Sequence, residues 1–395
     1  MQVNNQVPPP PTGKASDKTS GKTKSRDSRY ETLRIVAMLL VVSCHFVAHI
    51  GWNLETSGGV TQAVAYAIDQ FGGQIGVCIF FIISGYFLVN KDFRVERVLR
   101  TMLQTLVYTL LFFIVAVALS SRVEGIPLSL THLTSLVKGA YQSFLPTFNG
   151  TYWFITAYVF LQLFAPLLNA AVHNIPRRAF AQVLVLLPVL SIMAVMTLGQ
   201  LLWTNLTYAI TAYLFGAYIK LNGSRMRIGK RLRPWHVALF MLLSFAAIAA
   251  FYYALDMLSI TRQFRYSNHH VVGTVPLLPI LAVSGIFLIL HNGRRRRHAP
   301  RANGPTAVQK MIGGLAKTVF GVYLIHENPF IKEPFWNLIS ALLPKPHSPL
   351  LMIPLGVLGV IGVYAVLLLA AFIIDTVLVH PAEKLIIPGL ARRLS

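Results

Sequence analysis

Residues 34–50 read RIVAMLLVVSCHFVAHI. This stretch opens on an arginine and then continues without a further Asp, Glu, Lys or Arg to residue 54. Because a helix advances about 1.5 Å per residue, about 20 mostly apolar residues cross the hydrocarbon core of a bilayer. The stretch therefore predicts a membrane-spanning helix.

Nine more segments of similar character follow. The uncharged stretch 179–219 is too long for one span, and Gly199, Gln200 and Asn205 predict a hairpin between two helices. The segment 311–331 is interrupted by Lys317 and Glu327 but is needed for a consistent topology. The other spans are predicted at 71–90, 101–121, 151–172, 234–255, 271–290 and 349–374. The sequence thus predicts an all-α polytopic membrane protein with a bundle of about ten transmembrane helices.

The composition agrees with a protein dissolved in lipid. Of the chain, 55% is hydrophobic and 12% charged, and its mean hydropathy is +0.60. The formal net charge of +22 would suggest nucleic acid in a soluble protein. Here, however, 27 of the 35 Lys and Arg residues lie in segments that a ten-span topology places on one side of the membrane. The positive-inside rule then predicts that both termini are cytoplasmic, and we expect membrane lipids but no nucleic acid as partners.

Three regions follow from this topology. Residues 1–29 are polar and basic and have almost nothing to bury, so we predict a disordered cytoplasmic tail rather than a signal peptide. Residues 30–387 form the transmembrane domain. Residues 388–395 are predicted as a short cytoplasmic tail.

Arg34 and His45 are the first candidates for a functional site. They are 11 residues apart, which places them within about 20° of the same helix face and roughly 16 Å apart along the axis. An ionisable residue inside a span usually faces a cavity or a partner, and histidine titrates near neutral pH, so His45 is a candidate base. The alternatives are an interfacial anchor for Arg34 and a hydrogen-bonded packing residue for His45.

Two neighbours of His45 suggest other chemistry. His49 is one turn further on, a spacing that could hold a metal, but the sequence offers no third ligand and we predict no metal. Cys44 points about 100° away from His45, which disfavours a cysteine–histidine nucleophilic pair. Cys44 and Cys78 both lie in apolar runs and are expected to be packing residues.

Arg94, Arg97 and Arg100 follow the second span at a spacing of three. On a helix they would cover about 120° of one face, which suits contacts with phosphate groups. Ordinary positive-inside charge with lipid-headgroup contacts explains them as well.

Polar and aromatic residues within the later spans are possible lining residues of a site. The alternatives are close helix packing for the Ser-Gly-Tyr sequence at 84–86 and an aromatic belt at the membrane surface for Trp153. Glu327, which follows the last of them, receives no role. The candidates are Ser84, Tyr86, Trp153, Tyr323 and His326.

Taken in order, these motifs resemble the acyltransferase 3 family of bacterial membrane proteins. The resemblance covers residues 30 to about 387 and rests on Arg34 and His45, the FFIISGY stretch at 80–86, the Arg94–Arg97 pair, YWF at 152–154 and YLIH at 323–326. It implies His45 as the catalytic histidine, with the arginines serving the acyl donor.

The resemblance further implies a multi-pass protein of the bacterial cytoplasmic membrane that acylates envelope carbohydrates. The donor would be acyl-CoA, with acetyl-CoA as the default, and no cofactor would be permanently bound. The acceptor would be a hydroxyl of an envelope glycan or a lipid-linked sugar. The alternative is a transporter or flippase of an envelope glycan intermediate, but the two halves show no repeat of the kind common in transporters.

Overall fold

The computed structural model describes residues 27–128, 132–147, 152–198, 204–258, 277–296 and 306–394. All regular secondary structure within these ranges is helical. The helices are α1 (Ser28–His49), α2 (Gly59–Ala67), α3 (Gln74–Leu88), α4 (Val95–Leu119), α5 (Leu133–Phe144), α6 (Trp153–Asn174), α7 (Arg177–Leu198), α8 (Asn205–Asn222), α9 (Arg227–Arg231), α10 (Pro234–Met257), α11 (Leu277–Arg296), α12 (Ala307–His326), α13 (Lys332–Leu342), α14 (Pro349–Ile374) and α15 (His380–Leu394). Two wider π-helical turns, Ile68–Gly73 and Asp375–Val379, join α2 to α3 and α14 to α15.

Within the described ranges, six helical segments are long and apolar enough to cross a membrane. The prediction of an all-helical, multi-pass membrane protein is therefore confirmed. Helices also occupy the other four predicted segments, as α7, α8, α11 and α12. The count of about ten spans and the cytoplasmic placement of both termini stay predictions, and residues 199–203 of the proposed hairpin lie outside the described ranges.

The first and last helices extend into the segments predicted as terminal tails. Helix α1 begins at Ser28, inside the predicted tail, because the Asp27 side chain accepts a hydrogen bond from the Arg29 N–H and caps the first turn. Residues 1–26 of that tail lie outside the described ranges. At the other end, α15 continues to Leu394, so the segment predicted as a C-terminal tail is helical.

Helices α1 and α3 run antiparallel at the centre of the bundle. Tyr30, in the first turn of α1, stacks on Tyr86 in the last turn of α3, with 5.3 Å between ring centroids. Near the other end of α1, Cys44 Sγ lies 2.8 Å from Asp69 Oδ1 in the π turn before α3. We call the end with Tyr30, Arg34 and Tyr86 the arginine end, and the end with Cys44 and His45 the histidine end.

Close helix contact at α3 and α8 depends on two glycines. A Cβ added to Gly85 would overlap the backbone carbonyl of Tyr213, and one added to Gly216 would overlap the carbonyl of Ile82. The two backbones therefore touch directly, as small residues allow within membranes. This crossing fixes the position of α3, which in turn packs against α1.

Replacing Gly85 with alanine should destabilise the bundle by about 1–3 kcal/mol or more, because the clashing atoms all belong to the Tyr213 backbone, which cannot turn aside. Thermal unfolding of detergent-purified protein would measure this. Gly313→Ala is the matched control, since its added Cβ meets nothing within 4 Å. Equal unfolding temperatures for the two variants would contradict the tight crossing.

Candidate active site

Two histidines from distant parts of the chain meet at the histidine end. His45 Nδ1 on α1 lies 2.8 Å from His326 Nε2 in the last turn of α12. His326 is fully buried, and the side chain of His45 is mostly buried. The sequence singled out both residues, and the structure places them in direct contact.

The hydrogen-bond partners determine where the protons of the neutral rings lie. His326 Nδ1 is 2.6 Å from the carbonyl oxygen of Val322, and a carbonyl only accepts, so this nitrogen carries the proton. His326 Nε2 must then accept, and His45 Nδ1 must donate to it. The Nε2 atom of His45 is consequently left with its lone pair, which is the form required of a general base.

Glu327 completes the group. Its Oε1 atom lies 3.5 Å from His45 Nδ1 and 4.0 Å from His49 Nε2. Its other oxygen accepts a 2.9 Å hydrogen bond from the Lys332 ammonium in the first turn of α13. Oε1 is buried and accepts no hydrogen bond from the described residues. A carboxylate oxygen so placed would interact more strongly with a protonated His45 than with a neutral one.

The turn after α12 is held by a buried amide. Asn328 donates from Nδ2 to the Tyr152 hydroxyl at 3.0 Å, and its Oδ1 accepts from the Phe330 N–H at 3.1 Å. The Tyr152 hydroxyl in turn donates to the Leu324 carbonyl at 3.0 Å. These bonds orient the segment that carries His326 and Glu327. Sequence reasoning gave Glu327 no role, used Tyr152 only as part of the YWF motif and missed Asn328. The available signal was an acid and an amide directly after a histidine in an apolar segment.

Aromatic rings surround the histidines. The Trp336 ring on α13 is 5.7 Å from the His49 ring and 6.4 Å from the His326 ring, measured between centroids. The Tyr323 ring is 6.0 Å from that of His326, so this predicted lining residue does border the site. Both aromatic residues are buried and would exclude water from the hydrogen-bonded pair.

The same group is also a candidate metal site, because His45, His326 and Glu327 each offer one ligand atom within 4.8 Å of the others. Two nitrogens bound to a tetrahedral zinc ion at about 2.0–2.1 Å would lie about 3.3 Å apart. The separation of 2.8 Å between His45 and His326 is that of a hydrogen bond. The geometry therefore fits a proton relay better than a metal centre.

A groove at the arginine end has a cationic wall. Lys91 and Arg94 precede α4 and Arg97 lies in its first turn, and these cations face residues of α6 across a small depression open to solvent. Two of the four predicted donor-binding arginines, Arg94 and Arg97, thus share one groove. Phosphate groups are the ligands that such a wall would favour.

Arg100 and Arg34 make other contacts. Arg100 Nη1 lies 3.4 Å from Glu383 on α15 and outside the groove lining. The prediction that the three arginines share one helix face fails because Arg94 is extended and precedes the first turn of α4. Arg34 pairs with both carboxylate oxygens of Glu31 at 2.9 and 3.0 Å, at the arginine end of the helix that carries His45.

The contacts described for the remaining candidates are with residues other than the histidine pair. The Tyr86 hydroxyl is 2.9 Å from His291 Nδ1, and its ring lies under the Lys220 ammonium at the arginine end. Ser84 donates to the Phe80 carbonyl one turn earlier in its own helix, next to the glycine crossing. Trp153 opens α6, and its ring contacts Phe154 edge-on at 6.0 Å. These contacts suit packing, the alternative given above for the Ser-Gly-Tyr sequence.

The fold and site together define a class of protein: a multi-pass helical membrane protein with a hydrogen-bonded histidine pair at one end and a cationic groove at the other. The family model described as an acyltransferase domain matches residues 27–374. The chain therefore belongs to the acyltransferase 3 family, as its motifs predicted, and this membership supports acyltransferase activity. Searches of curated proteins and of solved structures gave no match.

Proposed function

We propose that this protein transfers an acyl group, by default acetyl, from cytoplasmic acyl-CoA to a hydroxyl of an envelope glycan or lipid-linked sugar. It would do so in the bacterial cytoplasmic membrane. The observation that carries the proposal is the chain from the Val322 carbonyl through His326 to His45. That chain leaves His45 Nε2 unprotonated and fixed in orientation, as a base for hydroxyl activation must be.

The reaction would proceed by direct transfer. His45 Nε2 takes the proton of the acceptor hydroxyl while the hydroxyl oxygen attacks the thioester carbonyl carbon. The C–S bond then breaks, and the departing thiolate of CoA receives the proton from His45. The protonated imidazole formed on the way carries a positive charge, and Glu327, 3.5 Å from His45 Nδ1, would stabilise it.

The donor would be held at the arginine end. Arg94 and Arg97 line a groove that suits phosphates, and acyl-CoA carries its phosphates at the end remote from the thioester. Helix α1 runs from Arg34 at that end to His45 at the other, roughly 16 Å away along its axis. The long arm of acyl-CoA would extend along the bundle in this direction.

Replacing Arg97 with alanine should raise the KM for the acyl donor about tenfold or more, because a charged hydrogen bond to phosphate contributes about 1.5–3 kcal/mol. Initial rates in proteoliposomes at varied donor concentration would measure it. Arg100→Ala is the control, since Arg100 faces Glu383 instead of the groove. An equal rise of the KM in both variants would contradict phosphate binding in the groove, and these arginines would then serve only as positive-inside topology signals.

The overall proposal is tested by the mass of the envelope glycan in a deletion strain. Loss of the acyl group from an otherwise complete glycan would support it, provided the wild-type gene restores the group and the His45→Ala gene does not. Loss or intracellular accumulation of the whole glycan would instead support the transport alternative. Normal acylation with the His45→Ala gene would remove the proposed base.

A further inference from the structure

The wall of the groove opposite the cations is formed by one face of α6. Gln162, Ala165, Pro166 and Asn169 lie on this face and line the groove. Residues three, four and seven positions apart share one side of a helix. The groove therefore has an uncharged wall whose polar groups are carboxamides, facing the wall formed by Lys91, Arg94 and Arg97.

Pro166 frees a backbone acceptor on this wall. In an α-helix the carbonyl of residue 162 accepts from the N–H of residue 166, but proline has no N–H. The Gln162 carbonyl therefore lacks its regular helical donor. It points along the helix toward Pro166, which itself lines the groove. A buried or half-buried carbonyl oxygen that lacks its helical donor is stabilised by a hydrogen bond from another group.

The Gln162 side chain also has unused hydrogen-bonding capacity. It is buried, with 6% of its surface exposed, and its one hydrogen bond among the described residues is a long 3.3 Å contact from Nε2 to the Thr101 hydroxyl. A carboxamide can donate two hydrogen bonds and accept two. Asn169 differs, because it donates to the Leu88 carbonyl at 2.9 Å and accepts from the Tyr213 hydroxyl at 2.7 Å. Asn169 is thus committed to the fold, whereas Gln162 is available to a ligand.

We propose that Gln162, through its side chain and its Pro166-freed carbonyl, binds the amide groups of the acyl donor's pantetheine arm. This inference rests on the proposed function and names a residue that distinguishes acyl-CoA from other phosphate-bearing molecules. Acyl-CoA carries phosphates and amides along one chain, which matches a groove with cations on one wall and amide partners on the other. Phosphatidylglycerol, with phosphate and ester groups, has no amide to pair with Gln162.

Binding measured by calorimetry on the full-length protein in nanodiscs tests the proposal with acetyl-CoA, adenosine 3′,5′-bisphosphate and phosphatidylglycerol as probes. Gln162→Leu should raise the Kd for acetyl-CoA about tenfold, as expected for loss of a hydrogen bond, and leave that for the bisphosphate unchanged. Pro166→Ala should act in the same direction, because the new N–H occupies the carbonyl, while the protein stays at least as thermally stable. Arg97→Ala should weaken binding of both nucleotides.

Gln182→Leu is the matched control, since Gln182 is an exposed glutamine on α7, and it should change neither Kd. Unchanged acetyl-CoA affinity in folded Gln162→Leu protein would overturn this inference while leaving the donor proposal intact. Equal losses of affinity for acetyl-CoA and for the bisphosphate would also overturn it, because Gln162 would then not distinguish a ligand with amide groups from one without them. A wild-type protein that binds phosphatidylglycerol but neither nucleotide would overturn the donor assignment and this inference together.

Discussion

Replacing His45 with alanine is expected to lower acyl transfer by roughly 10²- to 10⁴-fold, the usual contribution of a general base. The structure gives the reason: His326 and the Val322 carbonyl fix the ring so that Nε2 is unprotonated. His326 is a poor substitute for that nitrogen, because its side chain is fully buried and its Nδ1 stays bonded to the Val322 carbonyl. The measurement is the initial rate in proteoliposomes at saturating acyl donor, with membrane protein level checked in parallel.

The matched control is His173→Ala. His173 is an exposed histidine at the far end of α6, with contacts to Asn169 and Asn90, and its loss should leave the rate nearly unchanged. His49→Ala should lower the rate by an intermediate factor, below tenfold. The His49 Nε2 atom lies 4.0 Å from Glu327 Oε1. The His49 ring is linked to the His326 ring only indirectly, through the Trp336 ring that contacts both. A His45→Ala protein with wild-type turnover would rule out the relay as the catalytic group.

Glu327→Gln should lower kcat by roughly 10²-fold and leave the KM for the acyl donor unchanged. The substitution keeps the size of the side chain but removes the charge that faces His45 Nδ1 at 3.5 Å. That charge matters most when the imidazole is protonated, and an interaction stronger in the transition state than in the ground state affects kcat. Initial rates over a range of donor concentrations would separate the two constants.

Glu333→Gln provides the comparison for this variant, because Glu333 is an exposed acid in the same first turn of α13 as Lys332. It should behave as wild type. If Glu327→Gln instead raised KM with kcat intact, the carboxylate would serve binding and not the protonated histidine.

The sequence could indicate the apolar helical segments and the position of His45 on α1, because both depend on local properties. Hydropathy determines which segments enter lipid, and helical periodicity alone placed Arg34 and His45 on one face of α1. His326 was also identified, as a polar residue in mid-span. Its partnership with His45, 281 residues away, depends on how α1 and α12 pack, and no local pattern contains that information.

Glu327 and Arg100 show the two ways in which the sequence reasoning fell short. Glu327 reaches His45 from a turn after α12 that is held by the Asn328–Tyr152 hydrogen bond, between residues 176 positions apart. Arg100 was grouped with Arg94 and Arg97 from their spacing alone, whereas it pairs with Glu383 of α15, 283 positions away, through the packing of α4 against α15.

The meeting of α1 with the end of α12 also has a consequence for biogenesis. The first helix is synthesised and inserted while the segment with His326 and Glu327 has yet to leave the ribosome. Until then His45 lacks both His326, which determines which of its nitrogens carries the proton, and Glu327, whose carboxylate lies next to the imidazole. A chain that stops short of residue 327 would hold the imidazole but not the relay, so the assembled site belongs only to a protein whose insertion is nearly finished.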